Sequence, residues 1–441
     1  MTSVSSPVRL PGVVARLLDS RVLRWLLLAL FVAVLAKRLA ALHGLGTDSW
    51  GAMRAALDFL DSHDAGNLFQ VVFFENGIKF QYPPSSLLFI EPLHAAGLDS
   101  NLVLNSINFI AYGLNAVVIA LLAGRLATGW LSSAQVQTVR SAALLLAVMY
   151  EPIVLGYAIG QIQVFLNLLF SASCLLLVSG RERSSGVLLG LATTIKPQFG
   201  PLLLTQAALK RGNFVLGFLA CAAAVGLLSL WRYGWDSHVS YLKVLQFLSE
   251  RGEAYHLNAS VNGIAHRVLG NGSSFEDVAT MGILQSALPP FHPVVAILTR
   301  IAMIGFLAIP FLVLWRVHRA ANELLVFCLA ATCFVVASPI AWIHHYGILL
   351  PVYLIVLRDV CHDRRRTAPS VVLLAISFLL TGGRFPALRE AEGWQVLLQP
   401  ASLVFAGACL LVGILVRRTL VTSRSYEPGA AASVDVLPAK T

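Results

Sequence analysis

Charge is what this chain has least of. Only 12% of its 441 residues are Asp, Glu, Lys or Arg, against roughly 25% in a water-soluble domain. With 57% of residues hydrophobic, too few polar groups remain to cover a water-facing surface, so lipid is the main solvent. The length alone would suggest about three soluble domains; the composition replaces them with one unit of membrane helices. Acids are scarcer than bases, 22 against 32, for a formal net charge of +10. The excess Lys and Arg sit in short turns and not in a patch interleaved with stacking aromatics, which argues against nucleic acid as a partner. Cysteine is sparse too. Cys174, Cys221, Cys328, Cys333 and Cys409 lie in apolar runs and Cys361 in a basic turn; without a CxxC pair they read as small core residues, neither disulfides nor metal ligands. There is no P-loop, GxGxxG, heptad array or internal repeat, and no DxD-like pair in the outer loops, so the expectation is no metal and no cofactor.

What is abundant is a series of about a dozen apolar runs, joined by turns of two alternating kinds. One kind is short and basic, as at Arg125, Arg181/Arg183, Lys210-Arg211, Arg316 to Arg319, Arg364-Arg365-Arg366 and Arg417-Arg418. The other holds acids, aromatics, His, Pro or Gly. One topology satisfies both: an all-α polytopic membrane bundle of about twelve spans with both termini in the cytoplasm. Residues 1–21 form a cytoplasmic N-terminal segment, 22–416 the membrane domain, and 417–441 a polar tail without the composition to fold. Arg9, Arg16, Arg21 and Arg24 before the first run make it a signal anchor. Lys37 and Arg38, near its outer end, either snorkel or attract an anion. The outer loops are about 43–84 and 232–292. Short runs at 141–151, 185–196 and 197–209 stop on the outer side, and 85–97 is too brief to cross. Broken backbone at membrane depth is tolerated only beside protein or a wet cavity, so an outward-facing cavity is expected. Val239, Leu242, Leu245 and Leu248 recur at helical spacing beside Trp235 and Tyr241 and predict an amphipathic helix over it.

Residues able to do chemistry gather on that outer face. Asp48 follows the first span in Thr47-Asp48-Ser49-Trp50. A carboxylate at the membrane edge can be tuned into a general base, and the same residue can simply cap the following helix. Tyr82, in Phe80-Gln81-Tyr82-Pro83-Pro84, either stacks on a sugar or joins the interfacial aromatic belt. Gln161 and Lys196-Pro197 stand at ends of short helices. A lysine at membrane depth needs a partner, either a phosphate or a structural ion pair. Asn262, His266 and Arg267 share one segment of the long loop; Arg267 either grips an anionic oxygen in fork geometry or pairs with a neighbouring acid. Ser338-Pro339-Ile340-Ala341-Trp342-Ile343-His344-His345 is the densest outer cluster. Adjacent helical histidines point about 100° apart and do not chelate one metal alone; they either hydrogen-bond a phosphate or sugar hydroxyl or belong to a Trp/His belt. The sequons at Asn258 and Asn271 are read as chance occurrences.

In order, spacing and common face, these pieces resemble glycosyltransferase family 87, polytopic enzymes of the GT-C class. The resemblance rests on Thr47-Asp48-Ser49, Phe80 to Pro84, Gly160-Gln161, Ile195-Lys196-Pro197, Asn258-Ala259-Ser260 with Arg267, and Ser338-Pro339 through Trp342 to His344-His345, and covers about residues 20–415. It implies a hexosyltransferase that draws a sugar such as mannose from a polyprenyl-phosphate donor, a substrate and not a cofactor. The acceptor is an envelope glycolipid or glycan at the extracytoplasmic face of the plasma membrane. It makes Asp48 the catalytic base, and carries Lys196, His344 and His345 over from the family's Lys-Pro and His-His positions. Together with Arg267, Gln161, Tyr82, Asn262 and Trp342 these form the expected donor phosphate and sugar site. Direct displacement would invert the anomeric centre and needs only one carboxylate. Two other readings stand beside it. A transporter of a lipid-linked or small anionic substrate would carry repeated halves and midplane charges, which are not seen. A non-catalytic scaffold would carry a partner-binding module, and none is evident.

Overall fold

The computed structural model describes residues 12–272, 288–317, 322–362, 367–386 and 393–424. Among these the chain is helical with no strand; two isolated bridges, Thr128–Leu131 and Asn258–Trp342, are the only β pairings. Five helices are long and apolar enough to cross a membrane: Asn101–Ala127, Gly212–Arg251, Pro293–Val317, Ile343–Cys361 and Pro400–Val421. A sixth span arises if Ser133–Met149 and Glu151–Ala158, bent by 49°, are taken together. That is fewer than the twelve expected. The difference lies in length: Gln163–Val178, Glu323–Ala337 and Thr367–Gly382 are apolar but only 16, 15 and 16 residues long, short of the roughly 20 a bilayer requires. The first apolar helix, Arg21–Ala40, carries Arg21, Arg24, Lys37 and Arg38 at its ends and is not among the five.

Burial sorts these helices into layers. Every residue from Leu325 to Ala337 is buried, so Glu323–Ala337 is the central rod. By contrast only 17% of the apolar window of Pro293–Val317 is buried, which leaves its aliphatic surface to lipid. One core joins the central rod to Gln163–Val178, Glu182–Ile195 and Pro400–Arg424; a second, around Tyr112, Tyr150 and Tyr157, joins Asn101–Ala127 to Ser133–Met149.

Local chemistry explains where elements begin and break. Ser133–Met149 starts earlier than the run expected from Arg140, because Ser132 and Gln135 form a reciprocal capping box. It breaks at Tyr150, ahead of Glu151-Pro152, as the proline demands. The hairpin expected at Lys196-Pro197 is present as Glu182–Ile195, a 3-10 turn at Pro197–Phe199, and Pro201–Ala208. The segment expected as a long outer loop, 232–292, holds helix among its described residues: Gly212–Arg251 enters it across a kink at Gly234 (φ 73°, ψ 167°). Beyond that break Trp235, Val239, Leu242 and Leu245 are exposed while Tyr241 and Leu248 are buried, an amphipathic segment as expected. At the C-terminal end the helix Pro400–Arg424 continues past 416; the expected tail from 425 onward, the N-terminal residues 1–11, and part of the outer loop, 273–287, lie outside the described residues.

Candidate active site

Asp48 owes its place to two glycines. Gly46 and Gly160 let two backbones approach so closely that a Cβ on Gly160 would meet the Gly46 carbonyl oxygen at 2.1 Å. Gly160 also sits at φ +67°, which side chains disfavour. Backbone bonds zip the two segments together: Gly46 N–H to Ala158 (2.9 Å), Asp48 N–H to Ile159 (3.0 Å) and Ser49 N–H to Gly160 (3.2 Å). Asp48 thus opens the helix Asp48–Leu60 beside Gln161. Thr47 is the N-cap residue and makes no side-chain cap bond, so the carboxylate of Asp48 is not occupied as a cap. Instead Gln161 Nε2 donates to Asp48 Oδ2. The Gln161 amide is itself fixed, because its Oε1 accepts from Ser49 Oγ (2.7 Å) and Tyr82 Oη (3.1 Å). Gln161 and Tyr82 therefore orient Asp48 from a buried shell. Burial raises the Asp48 pKa above the usual carboxylate value, opposed by the Lys79 charge and the Gln161 bond.

A second group sits where the Lys196-Pro197 break meets the turn after the central rod. Lys196 Nζ lies 2.5 Å from His345 Nε2 and 3.3 Å from Gln163 Oε1. As an ammonium Lys196 has only donors; in that state His345 Nε2 accepts and the ring proton resides on Nδ1. That Nδ1, and Nδ1 of His344, have no hydrogen-bond partner among the described residues. The two rings stand nearly perpendicular, 88° apart with centroids at 4.5 Å, and His344 meets Trp342 edge-on at 5.5 Å. Among the described residues no carboxylate is hydrogen-bonded to Lys196; its partners there are a neutral amide and an imidazole.

Arg267 and Asn262 do something different from what the sequence suggested. Arg267 is buried, and its guanidinium donates to the carbonyls of Tyr255 (2.9 Å) and Asn258 (3.1 Å). Asn262 accepts from the Glu253 N–H (2.9 Å) and donates to Thr299 Oγ1 (3.0 Å). Asn258, a sequon residue, is 0% exposed; it donates to the carbonyls of Glu253 and Pro339 and accepts from the Ala341 N–H, which leaves its amide enclosed. All three side chains brace the 252–260 loop: Asn258 fastens it to the Pro339–Trp342 turn, Arg267 holds two of its carbonyls, and Asn262 ties it to Thr299 of the helix Pro293–Val317. Burial lowers the Arg267 pKa to about 10, still a cation at neutral pH.

What that loop delivers is Glu253, a residue the sequence reading did not single out. Glu253 is fully buried and pairs with Lys79, while its other oxygen accepts from Trp342 Nε1. Lys79 also lies 4.4 Å from the centroid of the Trp342 ring, a cation–π contact. Its ammonium is within electrostatic reach of Asp48, Lys196, His344 and His345 alike. Burial lowers the Lys79 pKa to about 8, with the Asp48 charge opposing that shift. Asp48, Lys79, Glu253, Trp342, His344, His345 and Lys196 therefore make up one cluster, drawn from five separated parts of the chain. Among sequence signals, only its position beside the Phe80 to Pro84 motif pointed to Lys79, and only the preceding Gly252 (φ 69°) marked Glu253 as deliberately placed.

Among the described residues no group of three or more His, Cys, Asp or Glu side chains converges as metal ligands would, and the six cysteines are free thiols. Chemically, the cluster offers an ionisable acceptor of a proton, two buried lysine amines, and imidazole nitrogens without a partner among the described residues. A comparison with curated proteins finds no match. A family model, that of glycosyltransferase family 87, matches residues 80–339. That stretch is more than half of the chain and includes Tyr82, Gln161, Lys196, Asn262 and Arg267; Asp48, Lys79 and the two histidines flank it.

Proposed function

Because the chain belongs to glycosyltransferase family 87, and is therefore a membrane glycosyltransferase, we propose that it moves a hexose such as mannose from a polyprenyl-phosphate donor to an envelope glycolipid or glycan. In this reading the cluster faces the extracytoplasmic side, in a cavity under the 232–292 loop, and both termini are cytoplasmic. Asp48 takes the proton of the acceptor hydroxyl as that oxygen attacks the anomeric carbon. The bond from the anomeric carbon to the phosphate oxygen breaks, and its electron pair leaves with the polyprenyl phosphate. The donor phosphodiester carries one negative charge and the departing monoester carries more, so negative charge grows on the leaving group during the step. In this reading Lys196 and the Nδ1–H of His345 stabilise that growing charge; the contact of Lys196 with His345 and the unpartnered Nδ1 support it. Attack opposite the leaving group inverts the anomeric centre, and one carboxylate suffices.

The observation that carries this reading is the gathering of Asp48 and the Lys196–His345 pair around one ammonium, Lys79, despite their separation in sequence. Gly46 and Gly160 build the Asp48 half of it. The test is Asp48→Asn in purified protein with a polyprenyl-phosphate sugar. Transfer should fall by about 10²–10⁴-fold, with donor binding retained. Undiminished transfer in a folded variant that binds donor would sink the base assignment. Uptake of substrate into proteoliposomes without any covalent product would instead establish transport.

A further inference from the structure

We propose that Glu253 and Lys79 form a positioning pair for Asp48: Glu253 fixes the ammonium in place, and the ammonium supplies the positive charge that the carboxylate faces. The inference rests on the reading of Asp48 as the base. Three structural facts support it. Lys79 has no freedom to snorkel to water, because its side chain is 8% exposed, is bonded to Glu253 and lies over the Trp342 ring. Glu253 is 0% exposed and both of its oxygens are engaged, one by Lys79 and one by Trp342. The backbone that carries Glu253 is the most heavily braced part of the outer loop, with Asn262, Asn258 and Arg267 all bonded into it. A surface ion pair needs no such bracing. A buried one gains little stability over apolar residues of the same size, so its presence here calls for a reason other than stability.

The charges around Lys79 supply that reason. From the helix Asp48–Leu60 it faces Asp48; from the 252–260 loop, Glu253; from the Lys196-Pro197 break, Lys196; and from the turn Ile343–Ile348, His344 and His345. Tyr82 and Tyr255 are the remaining titratable groups within reach of Asp48. Among the described residues Lys79 is thus the cation whose charge acts on Asp48. Lys196, which contacts neutral groups, stays available to the phosphate, and Lys79, which is held in place by Glu253 and the Trp342 ring, does not compete for it. The division of labour assigns one lysine to the donor and the other to the base.

The test compares full-length wild type with Lys79→Met, Lys79→Arg and the Lys79→Met/Glu253→Gln double variant, using a polyprenyl-phosphate sugar donor. Removing the ammonium withdraws the charge that favours ionised Asp48. The acidic limb of the kcat/KM profile should therefore move to higher pH by about one unit, a tenfold loss below it. Lys79→Arg keeps a cation and should restore the limb. Should Lys79→Met misfold around an unpaired Glu253, the double variant, neutral at both positions, should move the limb in the same direction by a smaller amount, because a negative charge goes with the positive one. Donor affinity should stay within about twofold in all of them. An acidic limb unmoved in the double variant overturns the proposal, and so does a tenfold or greater loss of donor affinity, which would make Lys79 a phosphate ligand. Asp48→Asn separates the two levels: if it abolishes transfer while the limb stays put, the base stands and the pair falls; if it does not, the base itself is misassigned.

Discussion

Asp48 can act as a base only while ionised, and Lys79 can support it only while protonated. Burial moves the first pKa up and the second down to about 8. The kcat/KM profile should therefore rise as pH climbs through the raised carboxylate value. An acidic limb in the ordinary carboxylate range, about pH 4, would contradict this assignment. Gln161 belongs to the same scale. Its amide holds Asp48 Oδ2 and is held by Ser49 and Tyr82, so Gln161→Leu should lower kcat by about 10²-fold through misplacement of the carboxylate, with the donor KM little changed. Lys196→Met should do the reverse and weaken donor binding first. Asp48, Gln161, Lys196 and the two histidines were legible in the sequence because each interrupts or ends an apolar run, where a polar group needs a reason. Lys79 and Glu253 were not, because a charge in a polar loop has a sufficient explanation in water. Only the fold shows that these two, 174 positions apart, are buried against each other.

Elements deliver these groups through features that propensity alone does not announce. The hairpin at Lys196-Pro197 and the break at Glu151-Pro152 were readable from proline chemistry. Also readable were the two helical segments that meet at the kink at Gly234, an apolar run before it and an amphipathic stretch after it. The Gly46–Gly160 crossing was invisible, because neither glycine signals its partner. It makes a sharp prediction. Gly160→Ala adds a Cβ where a carbonyl oxygen lies 2.1 Å away, at a φ of +67°. The strain is about 1–3 kcal/mol, and its relief must move Asp48 away from Gln161. Thermal unfolding in detergent should drop, and transfer should drop further than the unfolding does. Arg267 offers the complementary case. If it braces the 252–260 loop, Arg267→Met should destabilise the protein by at least about 2 kcal/mol and lower kcat, because Glu253 and Trp342 lose their support. If it bound phosphate instead, donor affinity would fall while thermal stability held.

At the scale of the whole molecule, the helix Asn101–Ala127 is the ruler. Its 27 residues span about 40 Å, enough to separate two aqueous faces. At its N-terminal end Arg54 reaches Asn101, and His94 bridges Asp61 and Asp99, so the helix Asp48–Leu60 is tied to that end. At its C-terminal end Ser132 and Gln135 meet Asp19, which places the N-terminal helix Gly12–Asp19 at the other. The short basic turns between apolar runs were readable from charge alone. The number of crossings was not, because hydropathy counts apolar runs, whereas a crossing also requires length, and the central rod Glu323–Ala337 is apolar because protein surrounds it. The topological prediction is therefore best made from exposed positions at the two ends and not from a count of spans. Ser62 and Ser249 lie at the Asp48 and Glu253 end, Ser132 at the other, and all three are exposed. Single cysteines placed there, on a background without reactive native thiols, should react with a membrane-impermeant maleimide in intact cells at 62 and 249. At 132 they should react only after permeabilisation. Labelling of 62 and 249 from opposite sides would divide the cluster between two compartments, and no phosphate-linked sugar could then meet Asp48 and Lys196 together.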